Sequence, residues 1–315
     1  MKVLVTGASG FLGSHLCEYF QNCGFDVVGV SRKRGFLKDI SGVKWLKCDL
    51  LEPESLKSLS PFDFDVVVHN AGLVSAAHPD YFWEVNVRAT LNLVHILESF
   101  DFKGRLFHIS SLAASGPGVK REEDECRPIT SYGKSKLVGE EVVRSSSLDW
   151  IVVRPPVIFG ERDRGLYVLY SLFKKGIYPR WSVERCVSVV YARNVAAFIR
   201  FLLDEDLSRE VFFLKDKDLT WSEMAHLFKK VYGKRVMVPV FVPEFVLALF
   251  QRGFDFAGCV AKKGGILSGD KMLELRQKQW IAVDDKAKSR GFRPPFEFET
   301  AFERTINWYR LSGWL

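Results

Sequence analysis

The amino-acid sequence predicts an α/β protein built on a doubly wound parallel sheet, with a smaller, mostly helical C-terminal lobe. Short apolar runs alternate with helical patterns from residue 2 to residue 154, which is typical of βαβ units whose parallel strands are covered on both faces. A glycine-rich loop follows the first apolar run directly. The alternation stops at Pro155-Pro156, because proline interrupts regular structure.

The predicted elements follow from the apolar patterns in chain order. Strands are predicted at 2–6, 26–30, 43–48, 65–69, 105–110 and 150–154, and helices at 11–23, 81–100 and 131–146. Later segments are a helix ending near 176, strands at 187–190 and 211–214, and helices at 194–203 and 221–232, the last capped by Thr220. We expect a Rossmann domain made of 1–155 and 187–219, and a substrate-binding lobe made of 156–186 and 220–315.

Composition and charge favour an ordinary globular protein with a small anionic ligand. The chain of 315 residues is 47% hydrophobic and has a net charge of +7. Its basic residues are spread out and do not form a stripe with interleaved aromatic residues, so we expect no nucleic-acid partner. The mild positive charge fits a phosphorylated cofactor.

Cysteine spacing and hydropathy suggest a cytoplasmic protein without a metal site. None of the six cysteines forms a C-x-x-C pair, so we expect no metal and a reducing compartment. The first residues lack the pattern of a signal peptide. No window reaches the roughly 20 apolar residues of a membrane span. The most similar window, 240–250, contains Pro243 and Glu244, and we interpret it as a helix of the substrate lobe in preference to a helix on a membrane surface.

The loop after the first strand has the spacing of a phosphate-binding loop. Gly7 permits a tight turn, Gly10 lets the backbone approach a pyrophosphate, and Gly13 lets the helix pack against the sheet. The helix N-terminus offers unpaired N–H groups to the phosphates. The residues expected to contact the cofactor here are Gly7, Ser9, Gly10, Phe11, Leu12 and Gly13.

The turn after the second strand indicates which dinucleotide is bound. NAD enzymes usually place an acidic residue here for the ribose 2′-hydroxyl, but this chain has Ser31 followed by Arg32, Lys33 and Arg34. An arginine can hold a 2′-phosphate through paired hydrogen bonds. We therefore expect NADP(H) in preference to NAD, with Ser31 and Arg32 as contacts; the alternative is a solvated basic turn.

Asp49-Leu50 closes the third strand. There the Asp49 carboxylate either accepts the adenine amino proton, with Leu50 beside it, or caps the helix before Pro53.

Two segments carry the residue types of a carbonyl-reducing site. Tyr132 and Lys136 are four residues apart and share one face of a predicted helix. An ammonium group near a phenol lowers the pKa of the phenol, which makes Tyr132 a candidate general acid or base. Ser110-Ser111 ends the fifth strand, where a hydroxyl can hydrogen-bond a substrate oxygen as charge develops.

These motifs together resemble the extended short-chain dehydrogenases/reductases, the NAD-dependent epimerase/dehydratase superfamily. The resemblance covers nearly the whole chain and rests on segments 6–13, 69–72, 110–111, 132–136 and 154–156 in that order. The end of the chain, 308–315, is similar to members related to dihydroflavonol reductases and 3β-hydroxysteroid dehydrogenases. It implies an oxidoreductase with a dinucleotide cofactor.

The resemblance also implies roles for individual residues. Ser111 matches the catalytic serine, Tyr132 the acid/base and Lys136 its partner. Asn86 matches a helix asparagine that anchors a water or the lysine, the alternative being a solvated helix position. Further positions implied for the cofactor are Asn70, Ala71 and Gly72 in the cleft, Tyr132 and Lys136, and Pro155 and Val157 beside the nicotinamide. Relatives suggest a homodimer through the helices at 81–100 and 131–146.

Two segments depart from the family pattern. A substrate loop that usually contains Pro and Gly reads Phe159-Gly160-Glu161-Arg162-Asp163, and Asn194 stands where an acid is expected. Both changes concern the substrate-loop geometry. An aromatic group nearby could form a substrate wall, but ordinary packing is the favoured interpretation; its members are Phe159, Tyr167, Tyr170, Phe173 and Trp181.

Three functions are compatible with these residues. The leading hypothesis is an NADP(H)-dependent oxidoreductase that reduces a ketone or aldehyde, or oxidises a secondary alcohol. The second is a nucleotide-sugar epimerase or dehydratase with tightly bound NAD. The third, which is not an enzyme, is an NADP-binding redox sensor.

Overall fold

The computed structural model describes residues 1–59, 63–76, 78–233, 236–243 and 269–315. Its strands are β1 Lys2–Thr6, β2 Asp26–Ser31, β3 Lys44–Lys47, β4 Val66–His69, β5 Arg105–Ile109, β6 Gly118–Lys120, β7 Asp149–Arg154, β8 Val157–Phe159, β9 Ile177–Arg180, β10 Cys186–Tyr191, β11 Glu210–Phe213, β12 Lys217–Thr220, β13 Val238–Phe241 and β14 Gln279–Ala282. Its α-helices are α1 Phe11–Asn22, α2 Pro53–Leu56, α3 Asp80–Phe82, α4 Ala89–Ser99, α5 Leu112–Ser115, α6 Ser131–Arg144, α7 Gly165–Lys174, α8 Ala192–Leu203, α9 Trp221–Tyr232, α10 Gly269–Arg276, α11 Asp285–Ser289 and α12 Phe298–Leu311.

The large sheet confirms the predicted doubly wound architecture. Seven parallel strands follow the order β3-β2-β1-β4-β5-β7-β11. Strand order reverses between β1 and β4, and ligands of such sheets bind outside the carboxyl ends of the strands at this point. The central strands are buried on both faces, which explains their continuous valine-rich runs.

A second sheet forms the smaller lobe, and several of its strands were not predicted. It has the order β12-β10-β14-β6, and β8 pairs with the C-terminal end of β10 on the edge opposite β12. The predicted strand at 187–190 exists as β10, but it lies in this sheet. The tail is helical in α10, α11 and α12, and it also supplies β13 and β14. The division into 1–155 with 187–219 and 156–186 with 220–315 therefore stays a proposal.

Three short connections carry the chain from the large sheet into the second one. They are residues 116–117 before β6, 155–156 between β7 and β8, and 214–216 between β11 and β12. All three leave the large sheet on the side of its carboxyl strand ends, where the site residues lie.

The helix predicted at 81–100 contains an irregular turn. Residues Trp83–Arg88 are π-helical and lie between α3 and α4 without a break. Such turns are rare and occur mostly at functional sites. Here the turn contains Asn86, which is buried.

The predictions about membranes, metals and cysteines cover the whole chain, but the structure describes only part of it. Residues 244–250 of the apolar window lie outside the described residues, as does Cys259. Within the described ranges, no helix is long and apolar enough to cross a membrane, no His, Cys, Asp and Glu cluster could hold a metal ion, and the cysteines are free thiols.

A buried ion pair joins β7 to α6. Arg154 and Glu140 have side-chain exposures of 2% and 0%. The Arg154 Nε donates to Glu140 Oε1 at 2.9 Å and its Nη2 to Oε2 at 2.6 Å. Ser110, just after β5, donates its hydroxyl to the same carboxylate. The pair therefore connects two strands of the sheet with the helix that carries Tyr132 and Lys136.

We expect Arg154→Met to lower the free energy of unfolding by about 3–5 kcal/mol, because it leaves the Glu140 carboxylate buried without its partner. Urea unfolding followed by circular dichroism measures the change. The double variant Arg154→Met, Glu140→Leu removes both charges and should recover most of the loss. Equal stability of the single variant and the wild type would contradict this role for the pair.

Candidate active site

The loop between β1 and α1 has the close contacts that require glycine. Gly7 has a φ of +63°, and a Cβ there would lie 2.7 Å from the Ala71 Cα. A Cβ at Gly13 would lie 2.2 Å from the Gly7 carbonyl oxygen. These contacts agree with the predicted turn and packing roles of the two residues.

The N-terminus of α1 is open to a ligand. Gly10 caps the helix without a side-chain hydrogen bond, and a Cβ there would meet only the Gly7 carbonyl oxygen, at 3.3 Å. The first N–H groups of α1, at Phe11 and Leu12, therefore face a region without a capping side chain. The loop fits a pyrophosphate bound at a helix N-terminus.

The basic turn after β2 folds towards this loop. The Phe36 N–H donates to the Ser9 carbonyl oxygen at 3.3 Å, and Gly35, with a φ of +49°, lies against Ser9. The β2 turn and the glycine loop therefore form one continuous surface at the sheet edge.

Ser31 holds this turn together. Its hydroxyl donates to the Lys33 carbonyl oxygen at 2.8 Å and accepts from the Trp45 indole N–H at 3.0 Å. The Arg34 guanidinium lies 5.2 Å from the centre of the Trp45 ring. Arg32, Lys33 and Arg34 are all exposed, and contact of Ser31 and Arg32 with a 2′-phosphate stays a prediction.

Asp49 caps its own turn. Its Oδ1 accepts from the Leu51 N–H at 3.1 Å, and Leu50 packs in the core. The helix that begins at Pro53 has Glu52 as its N-cap, without a side-chain cap, so Asp49 stabilises the turn before this helix and does not cap it. Contact of Asp49 and Leu50 with an adenine stays a prediction.

The loop after β4 is fixed to β1 by one threonine. The Thr6 hydroxyl oxygen accepts from the Asn70 and Ala71 N–H groups, both at 3.1 Å. Because β1 and β4 are neighbours, the predicted cleft residues 70–72 and the glycine loop lie side by side.

A buried chain of hydrogen bonds continues from Thr6 to Asn86. Thr90 donates to the Asn86 carbonyl oxygen at 2.8 Å, so its oxygen accepts from His69 Nε2 at 2.9 Å. His69 Nδ1 then accepts from Thr6 at 2.8 Å. Burial, and next the charge of Lys136, lower the pKa of His69 to about 3, so the ring stays neutral at ordinary pH.

The Asn86 side chain is a structural anchor of the cleft. Its Oδ1 accepts from the Leu73 N–H at 2.8 Å, and its Nδ2 donates to Ser135 Oγ at 2.9 Å and to the Leu73 carbonyl oxygen at 3.1 Å. The side chain is 1% exposed, so the alternative of a solvated helix position is wrong. A Cβ on Gly72 would lie 3.0 Å from Asn86 Oδ1.

The structure brings Ser111 and Tyr132 together. Ser111 caps α5 by accepting from the Ala113 N–H at 3.1 Å, and its hydroxyl lies close enough to the Tyr132 phenol to lower the pKa of Tyr132. The Leu112 N–H donates to the Pro155 carbonyl oxygen at 2.9 Å, which places Pro155 next to this pair. Val157 begins β8 and pairs with the second sheet.

The pKa of Tyr132 differs from the prediction, because Lys136 does not lower it. Burial raises the pKa of Tyr132, against the hydrogen bond from Ser111, which lowers it. Burial also lowers the pKa of Lys136 to about 8, against the Glu140 charge, which raises it. The Lys136 ammonium donates to the Ile109 carbonyl oxygen at 2.7 Å. Tyr132 is thus a protonated phenol at neutral pH.

Helix α10 adds residues that the sequence did not indicate. The Tyr132 N–H donates to Asp270 Oδ2 at 3.0 Å. Lys271 and Glu274 form an ion pair at 2.7 Å, and their charges act on the pKa of Tyr132 in opposite directions. No motif marks this segment, and only its position in the folded lobe connects it with the site.

The acid that is absent at position 194 is supplied by another segment. Asp216 accepts from the Asn194 Nδ2 at 2.9 Å and from the Tyr191 N–H at 2.7 Å. Burial raises the pKa of Asp216 to about 7. Asn194 Nδ2 also donates to the Phe296 carbonyl oxygen at 2.9 Å, and its Oδ1 accepts from the Phe296 N–H at 3.2 Å. Asn194 therefore joins the lobe to the chain before α12.

The substrate loop at 159–163 is held by a buried carboxylate. Glu161 accepts from the Tyr191 hydroxyl at 2.9 Å and from Arg304 Nε at 2.7 Å. Phe159, Tyr170 and Phe173 pack in the lobe core, which agrees with the packing interpretation. Tyr167 is half-buried against the same cluster, and Trp181 stacks with Arg185.

The fold, with its glycine loop next to the switch point of the sheet, is that of a dinucleotide-binding protein. The NAD dependent epimerase/dehydratase family model matches residues 3–212. The chain belongs to this family, which confirms the resemblance seen in its motifs. It is therefore an enzyme of the extended short-chain dehydrogenase/reductase type, and the redox-sensor alternative is not retained.

Curated relatives match over nearly the whole chain. A ceramide reductase of Caulobacter vibrioides is 26% identical over 99% of this chain and 96% of its own. The N-acetyl-alpha-D-glucosaminyl-diphospho-ditrans,octacis-undecaprenol 4-epimerase of Escherichia coli O157:H7 is 26% identical over 98% and 95%. The decarboxylating sterol-4-alpha-carboxylate 3-dehydrogenase of Candida albicans is 24% identical over 98% and 97%.

Solved structures share the fold. The UDP-glucose 4-epimerase of Thermotoga maritima, with UDP-glucose, has a TM-score of 0.79 at 21% identity and 99% coverage of both chains. The Thermus thermophilus UDP-glucose 4-epimerase, in complex with NAD, has a TM-score of 0.78 at 20% identity and covers 98% of this chain and 99% of its own.

The low pKa of Lys136 predicts a pH-dependent stability. The unfolded chain keeps this proton up to pH 10.5 and the folded chain only to about pH 8, so the unfolded state binds more protons between these values and stability rises with pH. The free energy of unfolding of the wild type minus that of Lys136→Met should grow by about 2 kcal/mol from about pH 8 to about pH 10.

Urea titrations of both proteins across this range test the prediction, with Lys134→Met, at an exposed position of the same helix, as the control. A difference between wild type and Lys136→Met that stays constant with pH would contradict the buried, proton-releasing lysine.

Proposed function

We propose that this enzyme reduces a ketone or aldehyde, or oxidises the corresponding secondary alcohol, with a nicotinamide dinucleotide. The observation that supports this most is the position of the Ser111 hydroxyl next to a protonated Tyr132, at the carboxyl edge of the sheet. A phenol that keeps its proton at neutral pH is a suitable acid for a carbonyl oxygen.

Each of four residues of the chain has its own role in this reaction. Tyr132 holds the proton that the substrate oxygen receives, and Ser111 donates or accepts a hydrogen bond to the same oxygen. Lys136 lies on the Tyr132 face of α6 and contributes positive charge below about pH 8. Asn86 keeps the loop at Leu73 in place. When bound, the nicotinamide supplies or accepts the hydride.

The cofactor is held by the glycine loop, and we propose a preference for NADP(H). The turn after β2 contains no acid for a ribose 2′-hydroxyl, and its exposed Arg32 suits a 2′-phosphate. Ser31 contributes by shaping the turn. The remaining proposed contacts are Gly7, Ser9, Gly10, Phe11, Leu12, Gly13, Asp49, Leu50, Asn70, Ala71, Gly72, Tyr132, Lys136, Pro155 and Val157.

The relatives suggest a substrate with a large apolar part. The names of three relatives that match over nearly the whole chain contain a ceramide, a polyprenyl diphosphate-linked sugar and a sterol. We therefore place the reacting carbonyl or alcohol in a lipid or lipid-linked molecule.

Sugar epimerisation or dehydration is the second candidate. The Escherichia coli relative is a 4-epimerase, and structural neighbours bind NAD. In that case the chain holds NAD tightly and returns the hydride to the same sugar.

We also propose a homodimer through α4 and α6. A surface groove runs along the contact between these helices and is lined by Leu91, Val94, His95, Glu98, Val138, Glu141, Val142, Ser145 and Ser146. Leu91 is exposed there, as an interface residue of the isolated chain would be.

Tyr132→Phe should lower turnover of a carbonyl substrate by about 100-fold to 10,000-fold, because the proton donor is lost while the ring remains. Cofactor oxidation is followed with a panel of lipid ketones and aldehydes. Tyr19→Phe, at the far end of α1, is the matched control. Cofactor binding, measured by fluorescence, should be the same in both variants. Full activity of Tyr132→Phe would refute the assignment.

NADPH should bind more tightly than NADH, and Arg32→Ser should weaken NADPH by about tenfold to 100-fold while leaving NADH unchanged, because only NADPH carries the 2′-phosphate. Fluorescence titration measures both affinities, with Lys57→Ser as the control. NADH binding as tight as NADPH, or NAD found by mass spectrometry in the purified protein, would favour the epimerase alternative.

A further inference from the structure

A two-stranded ribbon projects from the smaller lobe. Strands β9 and β13 pair in parallel as a separate sheet. β9 packs against α7 and α9, and β13 lies on its outer side. The Val238 N–H donates to the Gly176 carbonyl oxygen at 2.8 Å, and the Val242 N–H to that of Arg180 at 2.9 Å. The outer strand is therefore fixed along its whole length.

The outer strand exposes a row of apolar side chains. Val238 and Val240 are two residues apart in β13 and therefore lie on the same face of the strand. Val236 precedes them at the same spacing. Their exposed fractions are 65% for Val236, 51% for Val238 and 46% for Val240, and Phe241 is 58% exposed. Met237, between two of them, packs against the lobe core. Four large apolar side chains exposed within six residues form a patch, and such patches mark interaction sites.

The segments that build this ribbon carry positive charge only. Residues 164–183 contain four Lys or Arg and residues 224–243 another four, and neither segment contains Asp or Glu. The whole chain, by contrast, has 45 basic and 38 acidic residues. The cations of the described residues next to the ribbon are Lys174, Lys175, Arg180, Lys229 and Lys230, whereas Arg164 stacks on Phe36 and Trp314. Lys174, Lys175, Arg180 and Lys230 are exposed.

We propose that the β9–β13 ribbon binds the surface of an anionic lipid bilayer. The valine row enters the boundary between headgroups and acyl chains, Phe241 adds an exposed apolar side chain at the end of β13, and the neighbouring lysines and arginines contact lipid phosphates. Apolar side chains next to basic ones are what a peripheral membrane site requires, since the apolar contact and the electrostatic attraction add to each other.

Other occupants fit the ribbon less well. A second copy would bring two positively charged surfaces together, and Pro239 and Pro243 lack the N–H groups that a further strand would use. Nucleic acid would satisfy the cations but leaves the valine row without a partner. The proposal does not depend on the oxidoreductase chemistry, because no residue of the ribbon lies in the candidate active site.

The experiment uses the full-length protein and sedimentation with lipid vesicles. We expect binding to phosphatidylcholine vesicles that contain about one-third phosphatidylglycerol, weak binding to phosphatidylcholine alone, and weaker binding to the anionic vesicles at high salt. The double variant Val240→Ser, Phe241→Ser should bind anionic vesicles at least about tenfold more weakly. Leu311→Ser, which removes an exposed apolar side chain elsewhere, should bind like the wild type.

A charge variant separates the two contributions. Lys174→Gln with Lys175→Gln should weaken binding to anionic vesicles, whereas Lys57→Gln with Lys103→Gln should not. Thermal unfolding and NADPH titration show whether each variant is folded, and they report separately on the proposed cofactor site.

Several results would overturn the proposal. They are no binding of the wild type to any vesicle, equal binding of the ribbon variants and the wild type, or release by inorganic phosphate alone at equal ionic strength. An oligomer that only the ribbon variants lose, without vesicle binding, would assign the surface to a second copy instead.

Discussion

The ion pair between Arg154 and Glu140 constrains the whole site. It lies beneath the carboxyl ends of β5 and β7, and it shares its carboxylate with Ser110, the neighbour of Ser111. Glu140 is one helical turn beyond Lys136, and its charge opposes the effect of burial on the lysine. An interior charge pair has a high desolvation cost unless its hydrogen bonds are satisfied. Here those bonds also fix the relative positions of Ser111, Tyr132 and Lys136.

Burial dominates the electrostatics of the two titratable site residues. It raises the pKa of Tyr132 and lowers that of Lys136, so both groups are moved towards their neutral forms. The isolated chain therefore presents a phenol with its proton in place, as carbonyl reduction requires. The negative charge of Glu140 offsets part of the effect of burial on the pKa of Lys136, and the ammonium group donates to the Ile109 carbonyl oxygen.

Local patterns made the large sheet and the glycine loop predictable. Each βαβ unit is contiguous in sequence, and Gly7 and Gly13 meet partners that lie close along the chain or on the next strand. The second sheet could not be predicted in this way, since β14 pairs with β6 from the other half of the chain. For the same reason, the sequence did not indicate that the Asp216 carboxylate would bond Asn194, where the family pattern has an acid. Nor did it indicate that α10 would lie over Tyr132.

The three crossings at 116–117, 155–156 and 214–216 leave three elements that are neighbours in the large sheet, namely β5 through α5, β7 and β11. Two further segments return to the large sheet, since β10 leads directly into α8, which packs on α1, and β14 leads into α11, which packs on β11. The chain therefore passes between the two sheets several times along one border, and at this border Asp270 of the smaller lobe accepts from the Tyr132 N–H. A substitution that shifts the second sheet would consequently also shift the helix that carries Tyr132 and Lys136.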